Sequence, residues 1–281
     1  MTTTTPNAVR RRRFGASAAL TAVTWVIGFL FFFPVLWMVI TAFKNEVDAS
    51  TDTPKIIFKP TLDQFRNVFD SGFAPYLGNS AFATVVSTLL VLVLAIPAAY
   101  ALSIRPVPKT QDALFFFIST KMLPVVAVIV PLYIITQYIG LLDNIWILVI
   151  LYTAMNLPIA VWMLRSFMAE VPGEVLEAAE VDGAGMMASF RNVLMPMITP
   201  GIAATALICV IFAWNEFFFA VNLTSSRAGT VPVFLVGFIT SEGLFFAQLA
   251  AAATMAALPV VLAGWVAQKQ LVRGLSMGAI K

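Results

Sequence analysis

The sequence predicts an all-α membrane protein with six transmembrane helices and one charged cytoplasmic segment. Hydrophobic residues make up 60% of the 281-residue chain and charged residues only 11%, and the mean hydropathy is +0.92. A soluble globular domain carries about twice that share of charge. The apolar residues also form six separate windows, each long enough to cross a bilayer. The remaining length leaves no room for a separate catalytic domain, so the function must reside in the bundle and its loops.

Six apolar windows define the predicted spans. A hydrocarbon core of about 30 Å requires roughly 20 helical residues. The windows fall near residues 17–42, 79–104, 113–135, 144–165, 200–222 and 246–268. Prolines inside a span are tolerated where neighbouring helices satisfy the freed backbone groups, and they predict bends at Pro97, Pro124, Pro131, Pro158 and Pro259.

The distribution of basic residues predicts that both termini are cytoplasmic. Five bases fall on the predicted outer side, and Lys121 lies within the third window. The other eleven of the seventeen fall on the inner side, namely Arg10, Arg11, Arg12, Arg13, Arg105, Lys109, Arg165, Arg191, Lys269, Arg273 and Lys281. We therefore expect a basic cytoplasmic N-terminus at residues 1–16, a six-span domain at 17–268 and a cytoplasmic C-terminal tail at 269–281.

The stretch between the fourth and fifth windows is charged and helical in pattern. Its acidic residues are Glu170, Glu174, Glu177, Glu180 and Asp182. Pro172 suits the first turn of a helix over residues 173–181, and the pair Asp182-Gly183 predicts a turn after it. A second short helix is predicted over residues 185–194, separated by Pro196 from the fifth span.

These two helices predict one of two things. They form either a docking module for a soluble partner or an amphipathic loop on the lipid headgroups, where such helices commonly lie. A helix that rests on anionic lipid is rich in Lys and Arg, each worth about 1 kcal/mol near the surface. This stretch is rich in Glu instead. The acidic character therefore favours a docking module.

The same stretch resembles the EAA signature of permease subunits in binding-protein-dependent ABC importers. The matching residues are Glu177, Ala178, Ala179, Gly183, Val193, Met195 and Pro196, with Val193 and Met195 standing where the signature has Ile and Leu. Four other motifs are similar to the carbohydrate branch of these permeases: Asn79-Ser80, residues 97–102, Trp214-Asn215-Glu216 and Arg273-Gly274-Leu275. The resemblance extends from Phe14 to Lys281 and is closest to the second permease of maltose-type importers.

The resemblance implies a type I ABC importer permease fold, in which residues 166–199 form a cytoplasmic coupling loop. It also implies a bacterial inner-membrane location. The expected protein partners are a second homologous permease, an ABC ATPase dimer and an extracytoplasmic solute-binding protein. The chain is also expected to contact the lipid bilayer and a sugar or polyol substrate, but no nucleic acid. The sequence lacks the phosphate loop G-x-x-x-x-G-K-[ST]. ATP and Mg are therefore expected on the ATPase partner, and we expect this chain to be neither an enzyme nor the holder of a cofactor.

The resemblance assigns roles to individual residues of the coupling loop and of the tail. It implies that Glu177 pairs with a basic residue of the ATPase and that Gly183 permits the tight bend after the coupling helix. The other residues of the signature expected at the ATPase are Ala178, Ala179, Asp182 and Pro196. In the tail, the residues expected to contact the ATPase are Gly274, Leu275 and Lys281.

Four residues are candidates for the substrate pathway. An ionisable group inside a span costs roughly 2.5 to 3.5 kcal/mol on insertion scales, so Lys121 is expected to face a cavity, to pair with a carboxylate of the sister permease, or to snorkel. Trp214 and Asn215 combine a stacking ring with an amide, as sugar sites do. Glu216 lies near the outer interface, where solvation is an alternative to a pathway role. A neutral sugar or a polyol such as mannitol or sorbitol is the expected substrate, although Lys121 leaves an anionic one open.

Two other classes of protein were weighed against a permease. An ion-coupled secondary transporter requires carboxylates near the bilayer midplane, and the only acid in the predicted spans is Glu216, near one edge. An intramembrane enzyme requires a nucleophile with a base, but the sequence has no histidine and a single cysteine, Cys209. The same composition argues against a histidine-based metal site.

Overall fold

The computed structural model describes residues 6–104, 108–240 and 243–277, and it is helical along nearly all of this length. In chain order the elements are α1 (Pro6–Ala42), α2 (Glu46–Ala49), α3 (Asp63–Asp70), α4 (Phe73–Ser103), α5 (Thr110–Met122), α6 (Val125–Tyr138), α7 (Ile145–Ala169), α8 (Gly173–Val181), α9 (Met186–Ser189), a π-helical segment (Phe190–Leu194), α10 (Met195–Trp214), α11 (Phe218–Leu223), α12 (Val231–Val236), the hairpin strands β1 (Ile239–Thr240) and β2 (Gly243–Leu244), and α13 (Phe246–Met277).

Five helices of the described chain are long and apolar enough to cross a membrane. They are Leu20–Ala42 of α1, α4, α7, the continuous helix Met186–Trp214, and Phe246–Gln268 of α13. A sixth span arises if α5 and α6 are counted together, although these two helices meet at 88°. The prediction of a six-span helical fold is therefore confirmed, with one span broken.

In the third predicted span the bend expected at Pro124 is confirmed, but it is a break between two helices rather than a bend within one. The window 113–135 was expected to be one bent helix, but α5 stops at Met122 and α6 starts at Val125. Leu123, which precedes Pro124, has an extended backbone with φ −69° and ψ 123°, because a residue before proline is disfavoured in the helical region. The other four prolines named above lie inside unbroken helices.

The fifth predicted span is displaced. The window 200–222 was expected to be helical throughout, but the helix ends at Trp214 and α11 follows as a separate short element. The predicted second short helix of the coupling loop is also not separate. It continues through the π-helical segment into α10, where the amide of Met195 donates to the carbonyl of Phe190, five residues earlier. Pro196 does not separate the two helices: it directly follows the π-helical segment and lies inside the continuous helix Met186–Trp214.

By their internal contacts the described residues form two compact units. One comprises residues up to 68 together with 243–254, and the other comprises 69–240 together with 255–277. In the second unit α4, α7 and α10 pack against one another. Their contact surfaces carry small, fully buried residues such as Ala95, Ala99 and Ala160, which let helix backbones approach closely.

A glycine sets the closest approach in this unit. A methyl group at Gly201 of α10 would lie 2.4 Å from Cγ of Phe167 in α7. Any larger residue at this position would push the two helices apart.

The loops at the α6–α7 and α11–α12 connections are joined by a network around one carboxylate. Asp143 accepts hydrogen bonds from the backbone amides of Ser225, Arg227 and Ala228 at 2.8 to 3.2 Å. Partial burial acts to raise the pKa of Asp143, but these amides and the Arg227 charge outweigh it, so that the pKa lies below its ordinary value.

The Asn79-Ser80 motif supports the same loop from α4. The side-chain amide of Asn79 donates to the carbonyls of Arg227 and Gly229, and the hydroxyl of Ser80 accepts from the amide of Val231. These residues therefore fix the loop between α11 and α12 against the start of α4.

The first unit contains α1, α2, α3 and the start of α13. Glu46 accepts from the amides of Ala247 and Gln248 and so caps the N-terminus of α13. Large apolar side chains project from α1, among them Trp25 and Phe31, which are mostly exposed. Such a surface requires lipid or other membrane helices as its cover.

Candidate functional site

The coupling loop is a compact helical unit attached to the end of α7. The chain leaves α7 after Ala169, and Pro172 occupies the N-cap position of α8. The helix predicted over residues 173–181 is confirmed, with the bounds Gly173–Val181. One face of α8 lies toward the core: Leu176 packs against the buried cluster of α4, α7 and α10.

Gly183 closes α8 in a Schellman motif. Its φ is +84°, a value that L side chains adopt only at a cost. The amide of Gly183 donates to the carbonyl of Glu180 at 3.0 Å, and the amide of Ala184 donates to the carbonyl of Ala179 at 2.9 Å. These two bonds satisfy carbonyls that the end of a helix otherwise leaves unpaired. The turn predicted from Asp182-Gly183 is thus confirmed, and its physical basis is the left-handed backbone of Gly183.

The opposite face of α8 is open to the surroundings. Glu177 and Ala178 are exposed, and Ala179 is half-buried. Apolar side chains continue this surface around the bend, with Val181 87% exposed and Met187 66% exposed. The helix therefore presents an acid beside an apolar patch, as the surface of a docking site does.

A cleft of about 440 Å³ lies beside α8. It is lined by Glu177 and Glu180 from α8, by Arg165 from α7 and by Ser103 from the end of α4. The Nε of Arg165 is held by the carbonyl of Leu102 at 3.3 Å. The cleft thus brings the carboxylates of Glu177 and Glu180 and the side chain of Arg165 to one side of α8.

The remaining predicted ATPase contacts have less defined surroundings. Asp182 is the exposed C-cap residue of α8, and Pro196 is an exposed residue in the first turn of α10. Gly274 and Leu275 lie in the last turns of α13, where the structure describes the helix but not the side chains. Lys281 lies outside the described residues.

Lys121 joins three helices at the break between α5 and α6. Its Nζ donates to the carbonyl of Met155 in α7 at 2.8 Å and lies 5.8 Å from the ring centroid of Phe212 in α10. The side chain remains substantially exposed. The lysine is therefore anchored by a backbone carbonyl within this chain and still presents its charge at a surface.

The other three pathway candidates have local structural partners. Trp214 is only 7% exposed, and its indole N–H donates to the carbonyl of Ala256 in α13 at 3.1 Å. The side-chain amide of Asn215 donates to the carbonyl of Ile211. Glu216 accepts from the amide of Phe219 at 2.9 Å and caps α11. In this conformation these groups stabilise the ends of α10 and α11, and the ring of Trp214 has no free face for stacking.

Sequence reasoning missed two polar residues of α7. Asn156 is fully buried, and its side-chain amide reaches the carbonyl of Cys209 at 3.4 Å. Its Oδ1 has no hydrogen-bond partner among the described residues. Tyr152 is also buried, and its hydroxyl lies beside the carboxylate of Glu216. The signal in the sequence was their spacing of four within an apolar helix, which places them on one face.

The comparisons with known proteins agree with this architecture. Residues 91–276 match the family described as binding-protein-dependent transport system inner membrane component. The probable ABC transporter permease protein y4oR of Sinorhizobium fredii is 38% identical over 257 residues, which cover 91% of this chain and 92% of that relative. The trehalose transport system permease protein SugB of Mycobacterium tuberculosis is 31% identical, over 92% of this chain and 95% of its own length. The trehalose/maltose transport system permease protein MalG of Thermococcus litoralis is 30% identical, over 89% and 91% respectively.

The solved structures support the same fold. A bacterial ABC transporter involved in the import of the acidic polysaccharide alginate contains a chain that aligns with a TM-score of 0.72 at 20% identity, covering 96% of this chain and 100% of that one. These matches give no support to the ion-coupled alternative, and they place the chain among transport subunits rather than enzymes. The chain therefore belongs to the family of binding-protein-dependent transport system inner membrane components, which are multi-pass permease subunits of ABC importers.

Proposed function

We propose that this chain is the permease subunit of an ATP-driven importer for a neutral sugar or polyol, with both termini in the cytoplasm. The carbohydrate assignment is supported by the names of the relatives, which include permeases for trehalose and maltose and for melibiose, raffinose and stachyose. The orientation is supported by the excess of Lys and Arg on the side of the coupling loop.

The observation that carries the coupling role is the exposed acid of α8. Glu177 stands on a helix that is packed on one face and open on the other, with apolar side chains beside it. This is the combination expected of a surface that seats in a partner's cleft, where the glutamate would pair with a base. A pair that becomes partly buried on docking is worth more than an exposed surface pair, which contributes only about 0 to 1 kcal/mol.

The transport cycle follows from this docking. The ATPase dimer, which would hold ATP and Mg, closes and draws the docked coupling helices of the two permeases together. The bundle then turns from inward-open to outward-open, and the solute-binding protein releases its substrate into the cavity between the permeases. Hydrolysis resets the arrangement. A solved alginate ABC transporter is in complex with a periplasmic protein that carries an alginate pentasaccharide, which supports this kind of partner.

The test is sugar uptake by the reconstituted complex in proteoliposomes. We expect Glu177→Ala to lower uptake and transport-stimulated ATP hydrolysis by at least about tenfold, because loss of a charged hydrogen bond costs about 1.5 to 3 kcal/mol. Glu170→Ala is the matched control, since Glu170 is an exposed acid of the same loop but lies outside α8. Equal uptake by the two variants, at equal amounts of assembled complex, would remove Glu177 from the coupling role.

We also propose that Lys121 lies on the substrate pathway, since the Met155 carbonyl holds its ammonium among three helices while the side chain stays substantially exposed. Lys121→Met should slow uptake of the true substrate, and Lys121→Arg should retain most of it. Unchanged transport in the methionine variant would assign the lysine to packing at the helix break instead.

A further inference from the structure

A second cavity, unrelated to the coupling loop, lies in the first unit where α1 ends and α13 begins. Its volume is about 740 Å³, within the range of small-molecule sites. The apolar part of its wall includes Met38, Leu249 and Ala253. The charged part consists of two lysines and two acids, Lys44, Lys55, Asp48 and Asp52.

Lys44 is the unusual member of this wall. It is only 2% exposed, although lysine is almost never fully buried without a partner. Its Nζ lies 4.1 Å from the ring centroid of Trp37 and 5.3 Å from that of Phe58. Burial lowers the pKa of Lys44, and the charge of Asp48 opposes this only in part.

The ammonium of Lys44 has three donors and, within the described part of the chain, neither a hydrogen-bond acceptor nor an ion pair. The carboxylate of Asp48 pairs with Lys55, at 2.6 Å, rather than with Lys44. The hydroxyl of Thr41 is also buried without a partner. That hydroxyl has almost no accessible surface, so an occupant of the cavity reaches only the Lys44 ammonium. The ammonium lacks the hydrogen bonds that burial requires, and an occupant that supplies acceptors would satisfy it.

The position of the cavity indicates the chemistry of that occupant. Lys44 lies two residues beyond the end of the apolar span Leu20–Ala42, and the span of α13 starts at Phe246, which also lines the cavity. This is the depth of the membrane interface, where aromatic residues such as Trp37 are enriched. An occupant at this depth meets an apolar wall on one side and, on the other, the Lys44 ammonium beside the Asp48–Lys55 pair and Asp52.

We propose that this cavity binds a phospholipid, with the phosphate group on the Lys44 ammonium and with the acyl chains along Met38 and Leu249. The volume exceeds that of a single protein side chain, which disfavours filling by one residue of a neighbouring subunit. The proposal does not depend on the coupling role of Glu177, so each can fail without the other.

The experiment uses the purified permease complex after exchange into a mild detergent that strips loosely held lipid. Dioleoylphosphatidylglycerol is then added back, and bound lipid is counted by native mass spectrometry. We expect Lys44→Met to bind at least about tenfold more weakly than the wild type, the effect of losing one charge-assisted hydrogen bond. Lys44→Arg should stay within about threefold of the wild type because it keeps the charge.

Two controls define the site and the ligand. Lys59 is an exposed lysine between α2 and α3, and it does not line the cavity. Lys59→Met should therefore leave phospholipid binding unchanged. Dioleoylglycerol, which lacks the phosphate, should bind at least about tenfold more weakly than the phospholipid. Millimolar inorganic phosphate should not displace the bound phospholipid.

Three results would overturn the proposal. Equal phospholipid binding by Lys44→Met and the wild type would mean that lipid retention is independent of this cavity, as expected if a side chain of the second permease fills it. Equal binding of dioleoylglycerol would exclude recognition of the phosphate. Displacement of the lipid by inorganic phosphate would identify a site for the free anion instead.

Discussion

The Gly183→Ala substitution tests whether the geometry of the bend, rather than the glutamate alone, determines docking. Gly183 has φ +84°, and a Cβ built there meets no atom within 4 Å. The substitution therefore creates no clash, and its whole cost is that of placing an alanine in the left-handed region, about 1 to 2 kcal/mol. The chain either bears this strain or releases the two hydrogen bonds that close α8. The first outcome only lowers the stability of the permease, whereas the second opens the turn that follows Ala178 and Val181, and docking then has to close it again.

We expect the free variant to relax its turn, and the affinity for the ATPase then falls by up to about five- to thirtyfold, which is 1 to 2 kcal/mol expressed as an equilibrium constant. The assay is binding of the isolated ATPase to permease proteoliposomes, followed by uptake. Gly185→Ala is the matched control, because Gly185 has φ −67° and equally open space. Gly183→Asn should recover part of the affinity, since Asn tolerates the left-handed region.

The reasoning is refuted if Gly183→Ala and Gly185→Ala behave alike. It is also refuted if the alanine and asparagine variants at position 183 lose affinity equally, because a purely conformational cost must be smaller for asparagine.

Two further predictions concern stability. Gly201→Ala should lower the melting temperature of the solubilised complex, because a methyl group 2.4 Å from Phe167 overpacks the α7–α10 contact and costs about 1 to 3 kcal/mol of stability. Gly264→Ala, where the added methyl group meets open space, is the control and should leave the melting temperature unchanged or raise it slightly. For Asp143 the lowered pKa means that its stabilisation is complete above the unfolded value of about 3.9 and is lost as the pH falls through the folded pKa. Asp143→Asn should therefore have a lower melting temperature than the wild type near neutral pH, and its melting temperature should depend less on acid pH. Asp70→Asn, at an exposed position, should match the wild type. Identical pH profiles of melting for Asp143→Asn and the wild type would contradict this.

The sequence was sufficient for the spans and for the coupling helix, because both depend on local signals. Apolar windows of bilayer length require a helix wherever they fall, and a proline followed by an acidic turn and a glycine marks the start and end of α8. The bounds Gly173–Val181 and the bend at Gly183 followed directly.

The broken third span could not be foreseen, because five prolines carried the same signal. Pro97, Pro131, Pro158 and Pro259 lie in continuous helices, and only the chain before Pro124 turns to an extended backbone. A proline removes one backbone bond wherever it lies. Whether the helix survives depends on packing by segments distant in sequence, and the sequence pattern does not contain that information.

Trp214 illustrates the same limit for a side chain. Its neighbour Asn215 made it a reasonable stacking candidate, but its N–H bonds to Ala256, 42 residues later in α13. A tryptophan with a free ring face and one with a buried face look identical in a sequence, because the difference lies in the position of another helix.

The uninterrupted course of the helix from Met186 to Trp214 has a mechanical consequence. Its 29 residues span about 40 Å at 1.5 Å per residue, and no flexible connection separates the end beside the coupling helix from the end inside the bilayer. A loop at this point would absorb a displacement of the docking surface, whereas a continuous helix carries it toward the bilayer. The π-helical segment and Pro200 are the places where this helix can bend. A displacement at Met186 therefore meets the close contact of Gly201 with Phe167 before it reaches Trp214.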